Sequence, residues 1–154
     1  MARFRYKMQS ILDIKEKLET KAKQDFAQAN QRLMEEEEKL DALKRRKEAY
    51  LEEGIQIRLQ VIDVRKIREN KMAVMKMDEY ILQQSKEIAK AQKQVERARA
   101  ALQQVMQERK VHEKLKEKAF QEFMKEEQQK ENSQIDELTT YLHGQKVIGE
   151  RDDG

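Results

Sequence analysis

Apolar side chains recur along this chain in steps of three, four or seven. Phe4, Met8, Ile11, Leu18 and Ala22 fall on one face of a helix, and from Phe26 the series continues through Ala29, Leu33, Leu40, Leu43 and Tyr50. Glu36 and Lys47 occupy the two seam positions in between. The successive four-residue steps from Leu18 to Ala22 to Phe26 predict a stutter that locally relaxes the supercoil. At Gly54 the period changes, because Ile55, Ile57, Leu59 and Val61 alternate with Gln56, Arg58 and Gln60. With no other strand signal for it to pair with, that stretch is expected to be an extended connection. A wide, Met-rich face follows at Val64, Ile67, Met72, Val74, Met75, Met77, Tyr80 and Ile81. It settles into a regular heptad at Ile88, Ala91, Val95, Ala98, Leu102 and Val105.

Gly54 is the sole glycine before Gly144, and there is no proline. The pattern therefore predicts an all-α fold, with two long antiparallel helices forming a coiled-coil hairpin and the second helix overhanging the first. The expected elements are a helix over about 3–53, a connection over 54–63, a helix over about 64–132 and a short helix over about 134–143. Gly54 would end the first helix, Asp63 would cap the second, and Ser133 or Asp136 would cap the short one. Residues 1–144 would form the hairpin and 145–154 a disordered tail. A turn centred near residue 58 sets Phe26 opposite Ala91, Ala22 opposite Val95 and Leu18 opposite Ala98, large against small in successive layers. The same register brings Phe4 and His112 together near Glu113 and leaves everything after Leu115 without a partner on the first helix. Leu115, Ala119, Phe120, Phe123 and Met124 would then form an uncovered apolar stripe, the expected interaction surface.

Composition supports this outline. Charged residues make up 41% of the chain and aromatics 5%, which is the profile of a long helix rather than of a thick globular core. The net charge of +3, with 33 basic side chains against 30 acidic, is too small to argue for nucleic acid. Locally the balance differs: residues 54–114 carry 14 basic and 8 acidic side chains, residues 115–154 carry 6 and 10. The chain has no cysteine, which removes disulfides and thiolate metal sites, and no window approaches the roughly 18 apolar residues of a membrane span. The opening lacks the apolar core of a secretion signal, so a cytoplasmic protein is expected.

Catalytic constellations are missing. His112 and His143 stand in no metal-ligand spacing, and there is neither a glycine-rich phosphate loop nor a nucleophile elbow. The acidic run Glu35–Glu38 points in four directions around a helix and cannot converge on one ion; it and the basic run Lys44–Lys47 are solvated faces with weak ion pairs. Two helices side by side provide no water-excluding pocket. No enzyme activity and no cofactor are expected.

The two ends carry a further signal. Phe4, Tyr6, Met8, Gln9, Ile11 and Leu12, leading to Lys15, resemble the N-terminal signature of the flagellar export protein FliJ family. Glu113, Leu115, Lys116 and Lys118, with Ile135, Asp136 and Glu137, resemble its C-terminal signature. The resemblance implies a stalk component of the flagellar type III export apparatus, peripheral to the cytoplasmic face of the membrane through that apparatus. It implies an antiparallel two-helix stalk that binds the export ATPase ring, promotes its assembly and hydrolysis, and contacts the export gate protein and substrate-specific export chaperones. On that basis the ATPase-binding residues are Phe4, Tyr6, Met8, Ile11, Leu115, Lys116 and Lys118, with Phe120 and Phe123 added from the uncovered stripe. Met77, Tyr80 and Ile81 are the candidates for gate binding. The other readings are a homodimeric coiled-coil spacer, a holdase-like chaperone and the equivalent stalk of a virulence injectisome.

Overall fold

The computed structural model describes residues 2–152. Two α-helices account for nearly all of them: α1 (Gln9–Leu59) and α2 (Val64–Asp152), joined by residues 60–63, with no strand among the described residues. They pack against each other as an antiparallel coiled-coil hairpin. The residues separate into two compact units, one formed by Lys17–Met106 and the other by the segments that flank it.

Within Lys17–Met106 the inward positions of α1 are Glu19, Ala22, Phe26, Ala29, Leu33, Glu36, Leu40, Leu43, Lys47, Tyr50, Gly54 and Ile57. Those of α2 include Ile67, Asn70, Val74, Met77, Ile81, Gln84, Ile88, Ala91, Val95 and Ala98. Both series alternate strictly between steps of three and four, which is the heptad seam of a two-stranded coil. The expected stutter is absent. Glu19, not Leu18, takes the seam position, and Leu18 faces solvent. Glu19 reaches Lys23 one turn on, at 3.5 Å, and its methylene stem fills the layer.

The turn lies later than the alternating pattern suggests. Residues 55–59 continue α1, and the connection is only residues 60–63. Gly54 does not stop the helix; it makes room for Asn70. A Cβ at Gly54 would lie 2.5 Å from Asn70 Oδ1, and the buried Asn70 amide donates to the Tyr50 carbonyl at 2.8 Å. Asp63 caps α2 as expected, its carboxylate accepting from the Arg65 amide at 3.0 Å.

Cross-helix partners accordingly sit further along α2 than a turn at residue 58 allows. The Phe26 ring meets the Arg99 guanidinium at 5.8 Å, eight residues beyond Ala91, and Lys47 pairs with Asp78 at 2.6 Å. Tyr50 with Asn70 and Glu36 with Gln84 lie three residues beyond, so the displacement centres close to one heptad, the one error that leaves every apolar position facing inward. Periodicity alone is blind to it.

The remaining differences are at the ends. α1 begins at Gln9 rather than near residue 3, and α2 runs unbroken to Asp152 through the expected breaks at 133 and 144. Capping residues permit a helix to start but do not force one to stop, and without proline the orphaned carbonyls never arise. Gly144 has open space around its α-carbon. The expected disordered tail is helical from 145 to 152, and its last two residues lie outside the described residues.

Candidate interaction site

Residues 2–6 precede the first helical turn. Phe4 and Tyr6 are both partly buried, which an i, i+2 pair on a helix cannot achieve on one face but an extended segment can. The Tyr6 carbonyl then accepts from the Gln9 amide at 3.2 Å, and the Met8 carbonyl from Ile11 and Leu12 at 3.1 Å, which starts α1. Leu12, 2% exposed, is the centre of this unit's core.

The extended lead lays Phe4 on α2. Its ring meets Phe120 edge-on, centroids 5.3 Å apart at 74°, and Phe123 at 5.4 Å and 50°. Such pairs contribute about 0.5–1.5 kcal/mol each beyond area burial. The stripe expected to be naked is therefore partly covered by the chain's own N-terminal segment. Full exposure begins later, and every side chain over 128–149 is solvent-exposed.

Phe4 stands between a basic cleft and an acidic one. Arg3, Phe4, Arg5, Tyr6, Gln9 and Lys116 line an open cleft of about 460 Å³, and Phe4, Leu12, Glu16, Glu113, Lys116, Glu117 and Phe120 line a second of about 370 Å³. Lys116 borders both. Beneath them, the Tyr6 hydroxyl and His112 Nδ1 are buried without a hydrogen-bond partner. Lys15 and Glu108 form an ion pair at 2.8 Å, and Arg109 pairs with Glu113 at 2.8 Å.

Of the expected ATPase-binding residues, the structure brings Phe4, Tyr6, Lys116, Phe120 and Phe123 together. Met8, Ile11, Leu115 and Lys118 are exposed on the same unit. Arg3 and Arg5 complete the site without having been singled out, and the alternation of aromatic and basic residues from 3 to 6 is the signal that identifies them; Leu12, part of the N-terminal signature, lines the second cleft. Met77 is buried at 5% exposure in the other unit, so its side chain is part of the seam and not of a surface. Ile81 is half-buried and Tyr80 exposed, with Lys76 5.5 Å from the Tyr80 ring. Among the described residues, no group of three His, Cys, Asp or Glu side chains could hold a metal ion. No described helix is long and apolar enough to cross a membrane.

Comparison with curated proteins returns no match. Among solved structures, one described as a YscO homolog, CT670, from Chlamydia trachomatis shares the fold at a TM-score of 0.75, with 22% identity over 92% of this chain and 96% of that one. The family described as Flagellar FliJ protein matches residues 4–147. That match runs from the aromatic lead, along the whole seam and past the cleft that the two ends share, and the chain belongs to the FliJ family of type III export stalk proteins.

Proposed function

We propose that this chain is the non-enzymatic stalk of a flagellar export apparatus in the cytoplasm, and that the unit built from residues 2–16 and 107–127 docks into the export ATPase ring. The observation that carries the reading is the convergence of both signature segments on Phe4, whose ring packs on Phe120 and Phe123 beside Lys116. The rim of Arg3, Arg5 and Lys116 suits acidic groups on a ring subunit. Stimulation of hydrolysis follows if the stalk binds one arrangement of ring subunits more tightly than the others. The exposed Tyr80 and the half-buried Ile81 are the proposed gate contact, in place of the buried Met77. Chaperones of export substrates are the third class of partner.

The test is ATP hydrolysis by the cognate export ATPase titrated with this protein. A triple variant, Arg3→Glu, Arg5→Glu and Lys116→Glu, should need at least about tenfold more protein for half-stimulation, corresponding to roughly 1.4 kcal/mol or more. A chain ending after Glu127 retains Arg3, Phe4, Arg5, Lys116, Phe120 and Phe123 and should stimulate as well as the whole. Equal stimulation by the triple variant and the native chain would remove the site from consideration. An absence of stimulation, with a stable dimer by sedimentation, would favour the coiled-coil spacer.

A further inference from the structure

The geometry points to the hairpin tip as a lipid-contacting wedge: we propose that residues 59–64 insert their aliphatic side chains into the surface of an anionic bilayer. Leu59, Val61, Ile62 and Val64 are 75%, 95%, 71% and 64% exposed, so four large aliphatics stand together on a connection of four residues and the helix ends beside it. Single exposed aliphatics are ordinary on a protein surface, whereas a contiguous cluster marks a contact. Solvent could be excluded from this one only by something that accepts a convex apolar point. A protein partner would need a matching pocket; a bilayer needs none.

Charge decides for the bilayer and for its sign. Between 55 and 69 the chain has four basic residues, Arg58, Arg65, Lys66 and Arg68, and two acidic, Asp63 and Glu69; Arg65 pairs with Glu69 at 3.2 Å and Arg58 donates to the Gly54 carbonyl at 3.2 Å, which leaves Lys66 and Arg68 for lipid. The Asp63 carboxylate is engaged by the Arg65 amide at the start of α2. At 1.5 Å per residue, Arg68 lies only about 6 Å along the helix from Val64. Lys66 and Arg68 therefore stand behind the apolar tip at the depth at which headgroup phosphates lie when aliphatics reach roughly 5–10 Å into the interface. Anionic lipid attracts such residues within a Debye length. Gln60 is the only polar side chain between Leu59 and Asp63. This contact is independent of ring docking, which uses other residues, so either can fail without the other.

The full chain is tested by flotation with two kinds of vesicle, phosphatidylcholine alone and an equal mixture of phosphatidylglycerol and phosphatidylcholine. The mixed vesicles should bind it and the neutral ones should not. V61D with I62D should weaken partitioning into mixed vesicles at least about tenfold, and K66E with R68E should do the same while leaving ellipticity unchanged. Because the native chain has no cysteine, Val61→Cys carrying an environment-sensitive dye reports the tip directly. A blue shift on mixed vesicles is expected. No binding to mixed vesicles, binding that survives V61D with I62D, or an unshifted dye on bound protein would each overturn the proposal, the last two leaving only adhesion of the basic middle of the chain.

Discussion

A methyl group added at Gly54 would have to push Asn70 off the Tyr50 carbonyl, because the added carbon would sit 2.5 Å from Asn70 Oδ1. In an open helix Gly→Ala stabilises by about 1 kcal/mol, and Gly144, with nothing near it, should show that gain. Gly54→Ala should lose it and more, a net destabilisation of roughly 1 kcal/mol once the buried amide is left unpaired. Combining it with Asn70→Ala should recover the loss, giving a coupling of about 1 kcal/mol in a denaturation cycle. Additive effects would show that the two residues do not share a lock. Glu36 offers a titratable counterpart. Gln84 donates to both its carbonyl, at 2.9 Å, and its carboxylate, at 2.5 Å, and this bond, ahead of the attraction of Lys39 and Arg32 and against desolvation, holds the carboxyl below its ordinary value of 4.5. A depressed folded-state value means the contribution is complete above pH 4.5 and is lost as pH falls through the folded value. Urea midpoints measured on acidification should therefore fall in the native chain more than in Glu36→Gln. Equal slopes would assign no role to that bond. Tyr6→Phe is the third residue-scale test. Removing an unpaired buried hydroxyl should leave thermal stability unchanged or raise it, and a fall in melting temperature would show that the hydroxyl has a partner in the folded chain.

At the scale of elements, the seam of each helix is tuned by polar layers more than by bulk. Glu19, Glu36 and Lys47 in α1 face a seam that includes Asn70 and Gln84 in α2, and each hydrogen-bonded layer penalises registers in which its partner is missing. Apolar periodicity announces the two helices and their antiparallel pairing. It leaves a heptad of ambiguity, which Gly54, Asn70 and the short connection remove. The extended lead is the other element hidden from a helical reading, since Phe4 and Tyr6 make sense only when spaced two apart along an extended backbone. Phe4→Ala should cost about 1–3 kcal/mol, less than a fully buried Phe because the ring is only partly covered. Hydrogen exchange should rise around residues 4–16 and 112–123 while Lys17–Met106 keeps its protection, as expected if the two units open separately. Uniform acceleration along both helices would instead mean that they open as one.

For the whole molecule, the proposed contacts lie on surfaces that the helices leave open. The exposed Tyr80 and the half-buried Ile81 carry the proposed gate contact, and Tyr80→Ala should reduce capture by the export gate protein by about tenfold without affecting ATPase stimulation. Loss of both together would mean that the substitution disturbs the fold. Beyond Glu127 the apolar residues Ile135, Leu138, Tyr141 and Leu142 are exposed on α2, so this stretch adds surface to the molecule without adding to its core.

The sequence by itself determined the all-α hairpin, the inward heptads and the cap at Asp63, because these depend on periodicity and on local hydrogen bonding. Its two signature ends also sufficed to indicate the FliJ family. Only the tertiary structure decided that Gly54 serves packing and that Met77 is buried. It also decided which heptad faces which, and that Phe4 covers Phe120 and Phe123. Each of these depends on where a side chain meets another far away in the chain, and a pattern that repeats every seven residues gives several such meetings the same local score.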